Sequence, residues 1–456
     1  MNLPAKLTSG LLLLLLSVTF FSCEEDVNPN YAEEAADPER YHRAVKQLTD
    51  VIVHDIFSPP VAARIYSYSN LAAYEVMAAG DPAYQSLAGQ ITEFAEAPQP
   101  EEGLEYSFPV AALVAQCKVG KSLIFSEDKI TKFEEELMAE ILDIRMPSAV
   151  LERSVAYGQS VADHVIAYYD GDLYKQTRTY PKFSISDERS RWQPTPPDYM
   201  DGIEPSWKDI RPFTLDSAGQ YKPLPPTEYS EEKGSRWYEE VMEVYTALDE
   251  EMPDYKERTA IAQFWDCNPY VSNIEGHLMF ASKKISPGGH WINIVALACR
   301  QAEADLPRSV EAYTLTSLAL MDGFISCWDE KYRSALLRPE TFINRHIDEE
   351  WRPLLQTPPF PEHTSGHSVI SRAAAVVLTD LFGDDFAFDD TSEEEYGLPM
   401  RSFESFLAAS EEAALSRLYG GIHYRPAIDY GVDQGENVGN HVLRTVETRA
   451  QITEQQ

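Results

Sequence analysis

The sequence predicts an all-α protein made of two helical-bundle halves joined by a long proline-rich connection. Three observations predict it. Apolar residues recur at helical spacing, as in Val45, Leu48, Ile52 and Ile56, and again in Ile130, Phe133, Leu137 and Ile141. No stretch sustains the period-two alternation of a half-buried strand, so strands should be few. Nine prolines fall within residues 180–229, among them Pro194, Pro196, Pro197, Pro223, Pro225 and Pro226, and a helix cannot persist through them.

Residues 1–22 stand apart from the fold. Lys6, the apolar run Leu11–Leu16 and the small Ser22 ahead of Cys23 form a secretory signal. The Ser22–Cys23 junction has the form of a bacterial lipoprotein cleavage site. It predicts an exported protein, anchored through acylated Cys23 to lipid of the outer membrane or cell surface. Residues 23–37, acidic with Asn and Pro, predict a flexible tether.

Residues 38–179 form the N-terminal helical half. A helix beginning at Glu39 stops at Ser58-Pro59-Pro60, and a second runs through Ile65, Tyr68 and Ala72 to Gly80. Ser126 has the character of an N-cap for a third. A further helix covers about 149–169, ahead of Asp170-Gly171. His42, His54 and His164 in these helices read as surface or satisfied core residues. The connection, 180–229, should drape over the surface, either walling a pocket or merely linking the halves.

Residues 230–456 form the second half. Helical patterns appear near Glu231, over Glu257–Asp266, from Gly288-Gly289-His290, over Val310–Glu330 and over Val369–Phe382, where Gly383 stops the last. Asp266 reads as a solvent-facing acid and His290 as a packing or capping residue. Seven acids within 383–396 predict a solvated loop, and their spacing fits no EF-hand.

Composition bounds the function. The chain has 456 residues, 44% of them apolar, enough for a sizeable core. A net charge of −36 excludes a nucleic-acid partner, whose phosphates demand a basic face. Beyond residue 22 no apolar run is long enough to span a bilayer. Cys117, Cys267, Cys299 and Cys327 could pair in three ways in an exported protein. The apolar neighbours of Cys299 and Cys327 suit buried free thiols equally well.

Against this acidity, cations gather around three segments. Lys331 and Arg338-Pro339 lie seven apart, about two helical turns, so both should project from nearly one face, with roughly 10 Å between their Cα atoms. Ser365-Gly366-His367 precedes a helix, whose first N–H groups have no internal partner and suit an anion. Ser365 can donate a hydroxyl, Gly366 lets an anion approach the backbone, and His367 can move a proton near neutral pH. Arg417 and His423 are six apart, with Gly420-Gly421 between them to turn His423 inward. Arg333, Arg372 and Arg425 lie nearby. Arginine suits forked contact with a tetrahedral oxyanion, and lysine supplies a point charge.

Read together, K-x6-R-P, S-G-H and S-R-x5-H resemble the three-part signature shared by vanadium-dependent haloperoxidases and type 2 phosphatidic acid phosphatases. The resemblance covers about the last 230 residues. It implies a bundle of the vanadium chloroperoxidase and acid phosphatase type, with vanadate, or phosphate in its place, in the second half. It implies Lys331, Arg338, Ser365, Gly366 and Arg417 as anion-binding residues. His423 would then bind the central atom, vanadium through vanadate or phosphorus, and His367 would be the general acid–base. Trp328 and Phe360 occupy the places of the aromatic pair lining the halide pocket of fungal chloroperoxidase. The implied substrates are hydrogen peroxide and halide, with halide attacking bound peroxide once the cations draw charge off it. A soluble phosphatase acting on a phosphate ester needs the same cage. A glycan-binding surface lipoprotein, suggested by 25 Tyr and 7 Trp, would leave the three motifs unexplained. The family often has an Asp four residues after the second histidine. Here that position is Ala427, so Asp429 or a backbone carbonyl is the expected orienting group. Thr364 stands in place of the family's usual Pro.

Overall fold

The computed structural model describes residues 26–450 except 248, 270, 276 and 277, with the backbone alone for the rest of 272–282. Cys23 and the signal segment lie outside the described residues. The first helices are α1 (Tyr31–Ala35), α2 (Glu39–His54), α3 (Pro59–Gly80), α4 (Phe108–Ser122), α5 (Glu127–Asp143), α6 (Ser148–Asp170) and α7 (Tyr174–Thr177). After the connection come α8 (Arg236–Ala247), α9 (Tyr255–Phe264), α10 (Pro287–Gln301), α11 (Leu306–Ser334) and α12 (Pro339–His346). The last are α13 (Gly366–Phe382), α14 (Phe406–Tyr419) and α15 (Arg425–Thr445). Two antiparallel hairpins complete the described residues: β1 (Val271–Glu275) with β2 (Leu278–Ser282), and β3 (Phe388–Asp390) with β4 (Arg401–Phe403). None of the described helices is long and apolar enough to cross a membrane.

Local chemistry sets the helix ends. The Ser58 hydroxyl accepts from Val61 N–H and two prolines fill the first turn of α3, but α2 has already ended at His54, with Ile56 left-handed at φ +56°. Asp305 caps α11 in the same way, accepting from Arg308 N–H. Ser365 caps α13, and Gly383 ends it at φ +105°, a conformation open to glycine. The core is continuous, with α3 packed on α4, α6 and α11, and α11 packed in turn on α13. A second cluster joins α8, α12, α14 and α15 around Trp237, Phe342 and Tyr424.

The closest packing positions the segment Ser365–Ser368. On α15, Gly431, Gly435 and Gly439 form a stripe facing α13. A Cβ at Gly435 would lie 2.1 Å from the Val369 carbonyl oxygen, and one at Gly431 3.1 Å from that of Ser365. Backbone therefore rests on backbone where α13 begins.

Several expectations are corrected. Residues 26–37 are no free tether: Asn28 N–H donates to the Arg145 carbonyl at 3.0 Å and the segment folds into α1. Lys331 and Arg338 do not share a helix. α11 ends at Ser334 with Ala335 left-handed at φ +46°, and Arg338 is the N-cap of α12. The acidic loop is only partly solvated, because Asp390 and Glu393 are buried. Asp266 is also buried, its Oδ2 2.5 Å from Lys284 Nζ. Of the two readings open for the later cysteines the free-thiol one holds: Cys117, Cys267, Cys299 and Cys327 are all free and buried.

The connection is extended but pinned. Buried Asp322 on α11 accepts from the N–H groups of Phe213 and Thr214, both at 2.8 Å. Trp192 N–H donates to the Ala335 carbonyl and Leu337 N–H to that of Ser190, which clamps the chain between Lys331 and Arg338.

Candidate active site

The three cationic segments converge on one buried corner. Gly366 and His367 from α13, Arg417 from α14, His423 from the turn after it, Trp328 from α11 and Phe360 all line one small cavity. Asp266, Cys267, Asn268 and Pro269 form another wall. The space is about 30 Å³; a cleft of about 630 Å³ lies elsewhere, around His42 and Arg300. At about 10–15 Å³ for each enclosed water, it holds a compact ion rather than an organic molecule. No residue of the 180–229 connection lines it. That segment braces the site from behind, as where the Ile203 carbonyl accepts from Trp328 Nε1 at 3.2 Å.

His423 is fixed at both ring nitrogens. Arg338 Nη1 donates to its Nε2 at 3.0 Å, so Nε2 carries a lone pair and the proton sits on Nδ1. Nδ1 then donates to Glu362 Oε1 at 2.9 Å, and Tyr424 N–H donates to the same oxygen at 2.9 Å. Glu362, rather than Asp429 or a backbone carbonyl, orients this imidazole. Burial, then the Arg338 and Lys331 charges, hold His423 well below the usual histidine range, so it is neutral. Burial pushes the Glu362 carboxyl up to about 7. The turn exists because α14 ends at Tyr419 and Gly421 adopts φ +77°.

His367 has no hydrogen-bond partner at Nε2, and its backbone hydrogen bond is to Trp265. Burial and then Arg417 hold it far below its usual pKa, so it is a neutral base at neutral pH. Arg417 Nη2 donates to the same Trp265 carbonyl at 2.7 Å, and its Nε donates to Ser416 Oγ. Burial lowers the pKa of Arg417 as well.

Lys331 uses all three ammonium hydrogens on one loop, donating to the carbonyls of Pro361 at 3.0 Å, Glu362 at 3.0 Å and Thr364 at 2.5 Å. It also lies over the Phe360 ring at 5.0 Å. Burial lowers its pKa to about 7. Ser365 sits behind Gly366 as the cap of α13, its oxygen accepting from Ser368 N–H at 3.3 Å. Trp328 and Phe360 pack at 5.0 Å between ring centres. Arg333, Arg372 and Arg425 are not in the corner; each is paired with a glutamate, Glu330, Glu411 and Glu243 respectively.

The donor set fits a tetrahedral oxyanion. Arg338 Nη2 is buried without a partner, a costly state that an anion relieves. The Gly366 and His367 N–H groups belong to the first helical turn, which has no internal acceptors. A Cβ at Gly366 would meet only ordinary contacts, 3.7 Å to the Trp328 ring and 4.0 Å to Lys331 Cε. The protein itself therefore does not require glycine there, and the space is kept on the cavity side.

Comparison with known proteins places this geometry. The profile of the VCPO second helical-bundle domain matches residues 311–451, the stretch holding all three motifs. The structure of the first bacterial vanadium-dependent iodoperoxidase is 50% identical in sequence, with a TM-score of 0.87 over 91% of this chain and 98% of that one. The chain belongs to the vanadium-dependent haloperoxidase family. A bacterial vanadium-dependent chloroperoxidase, 19% identical, shares the haloperoxidase's fold with a TM-score of 0.65 over 86% of this chain and 93% of that one. No curated protein sequence matches. Sequence reasoning missed Glu362 in this haloperoxidase, although it stands in the same short stretch as His367. Its signal was only a carboxylate among apolar and hydroxyl residues, and its partner is 61 positions away.

Proposed function

We propose that this haloperoxidase oxidises iodide with hydrogen peroxide at a vanadate held by His423. The observation that carries the site assignment is the state of His423. It is neutral, with Nδ1–H on Glu362 and the Nε2 lone pair toward the arginine-lined corner. That lone pair is the donor a metal centre needs. The iodide preference rests on the 50% identical iodoperoxidase.

Bound vanadate supplies a Lewis-acidic centre that makes hydrogen peroxide electrophilic toward halide. The chain's own residues do the rest. His423 would hold the cofactor through Nε2, whose lone pair Arg338 Nη1 would have to release, and Glu362 keeps that imidazole in the Nδ1–H tautomer. Arg338, Arg417 and the Gly366 N–H would hold its oxygens, with Lys331 adding charge. His367, neutral and unpartnered at Nε2, accepts a proton from incoming peroxide and returns it to the departing oxygen. Trp328 and Phe360 give the halide an apolar wall that strips its water. Hypohalous acid leaves, and the tight cavity keeps organic acceptors outside.

The test is direct. Purified protein reconstituted with vanadate should form triiodide from iodide and peroxide, with bromide and chloride much poorer. Hydrolysis of an aryl phosphate with no iodide oxidation would overturn the proposal in favour of a phosphatase. We also propose that the chain is exported and acylated at Cys23; loss of fatty-acid labelling in Cys23→Ala is the expected result.

A further inference from the structure

Beside the cavity lies a second cluster that shares Cys267 with the cavity wall and to which no role in the chemistry above has been given. Cys267, His290 and Glu393 are buried, and they come from the turn after α9, the start of α10 and the loop after β3. Cys267 Sγ is 3.4 Å from His290 Nδ1 and 3.9 Å from Glu393 Oε1, and Nδ1 is 3.2 Å from Oε1. His290 Nε2 is 2.7 Å from Asp390 Oδ2.

We propose that Cys267 Sγ, His290 Nδ1 and Glu393 Oε1 bind one zinc-class divalent cation. A tetrahedral Zn²⁺ with ordinary bond lengths separates its sulfur and nitrogen ligands by about 3.6 Å, nitrogen and oxygen by about 3.4 Å, and sulfur and oxygen by about 3.6 Å. The three separations in the structure lie within a few tenths of an ångström of these. Thiolate, imidazole and carboxylate together suit zinc rather than magnesium or calcium. The Asp390 contact is the carboxylate–histidine pairing that fixes the tautomer of a metal-binding imidazole, leaving Nδ1 for the metal.

Charge balance permits the site. Zn²⁺ would replace two protons, one on Sγ and one on Nδ1, which leave to solvent. The cluster's net charge is then the same with and without metal, so the buried carboxylates are served equally. A metal-free cluster is an imidazolium between two carboxylates, and the raised His290 pKa describes that form. Three protein ligands leave one vertex for a small ligand such as water.

The ion would tie the 265–269 wall to α10 and to the loop after β3. Trp265 stacks on His290 at 4.6 Å, and its carbonyl holds Arg417. The metal would thus act on the active site as a positioning element.

The experiment is metal analysis of the purified full chain, followed by Co²⁺ titration of chelator-treated protein. The expected result is about one zinc per chain and a thiolate-to-Co²⁺ absorption band, both lost in Cys267→Ser and weakened at least tenfold in Glu393→Gln. Thermal unfolding of the wild type with and without chelator covers the case of a variant that fails to fold, and chelator should lower Tm. Wild-type protein with no zinc, no Co²⁺ band and a Tm indifferent to chelator would overturn the proposal. A band that survives in Cys267→Ser would overturn it too.

Discussion

Replacing Glu362 tests how the haloperoxidase holds its cofactor. The carboxylate accepts from His423 Nδ1 and Tyr424 N–H, both at 2.9 Å, in a fully buried setting. Glu362→Gln keeps an acceptor oxygen but removes the charge. That makes the imidazole a poorer donor and also lessens repulsion of an anion, so the two effects oppose each other. Glu362→Ala removes the acceptor and leaves two buried N–H groups unpaired, at about 1–3 kcal/mol each. Loss of the group that orients a metal-binding histidine typically costs about 10–100-fold in affinity. We expect vanadate affinity to change less than about tenfold in Glu362→Gln and to fall about 10–100-fold in Glu362→Ala. Calorimetric titration of vanadate-depleted protein reads both, with circular dichroism to confirm folding. If folded Glu362→Ala binds vanadate as tightly as Glu362→Gln, the orienting role is wrong.

Other outcomes follow from the same geometry. His423→Ala should abolish vanadate binding and iodide oxidation, whereas His367→Ala should still bind vanadate but lose turnover about 100-fold or more; equilibrium dialysis and steady-state kinetics separate the two. Lys331, lowered to about 7, and Glu362, raised to about 7, both favour an anion when protonated. Vanadate affinity should therefore fall as pH rises through about 7, with proton uptake on binding visible by calorimetry in buffers of different ionisation enthalpy. Gly435→Ala forces a Cβ against the Val369 carbonyl and should destabilise the protein by about 1–3 kcal/mol, read by urea denaturation.

Much of the site could be read in the sequence because each motif is local chemistry. Ser365 is a cap, Gly366 leaves space, and Gly421 is a turn. Local signals gave the start of α2 at Glu39, the N-cap position of α5 at Ser126 and the end of α13 at Phe382 ahead of Gly383. Longer-range relations escaped. The seven-residue spacing of Lys331 and Arg338 looked helical, but Ala335 turns left-handed and the connection's Trp192 binds its carbonyl. Asp266, Asp390 and Glu393 read as solvated acids because their partners, Lys284 and His290, come from other elements. Burial of a charge depends on where its counterpart arrives, and one chain position does not carry that information.

One carbonyl joins the base and the grip. Trp265 accepts from both Arg417 and His367, so neither side chain can swing without disturbing the other. Reshaping the pocket for a different halide by way of the 265–269 wall would detune proton transfer in the same stroke. Variation that spares turnover is thereby steered toward the opposite side, Trp328 and Phe360.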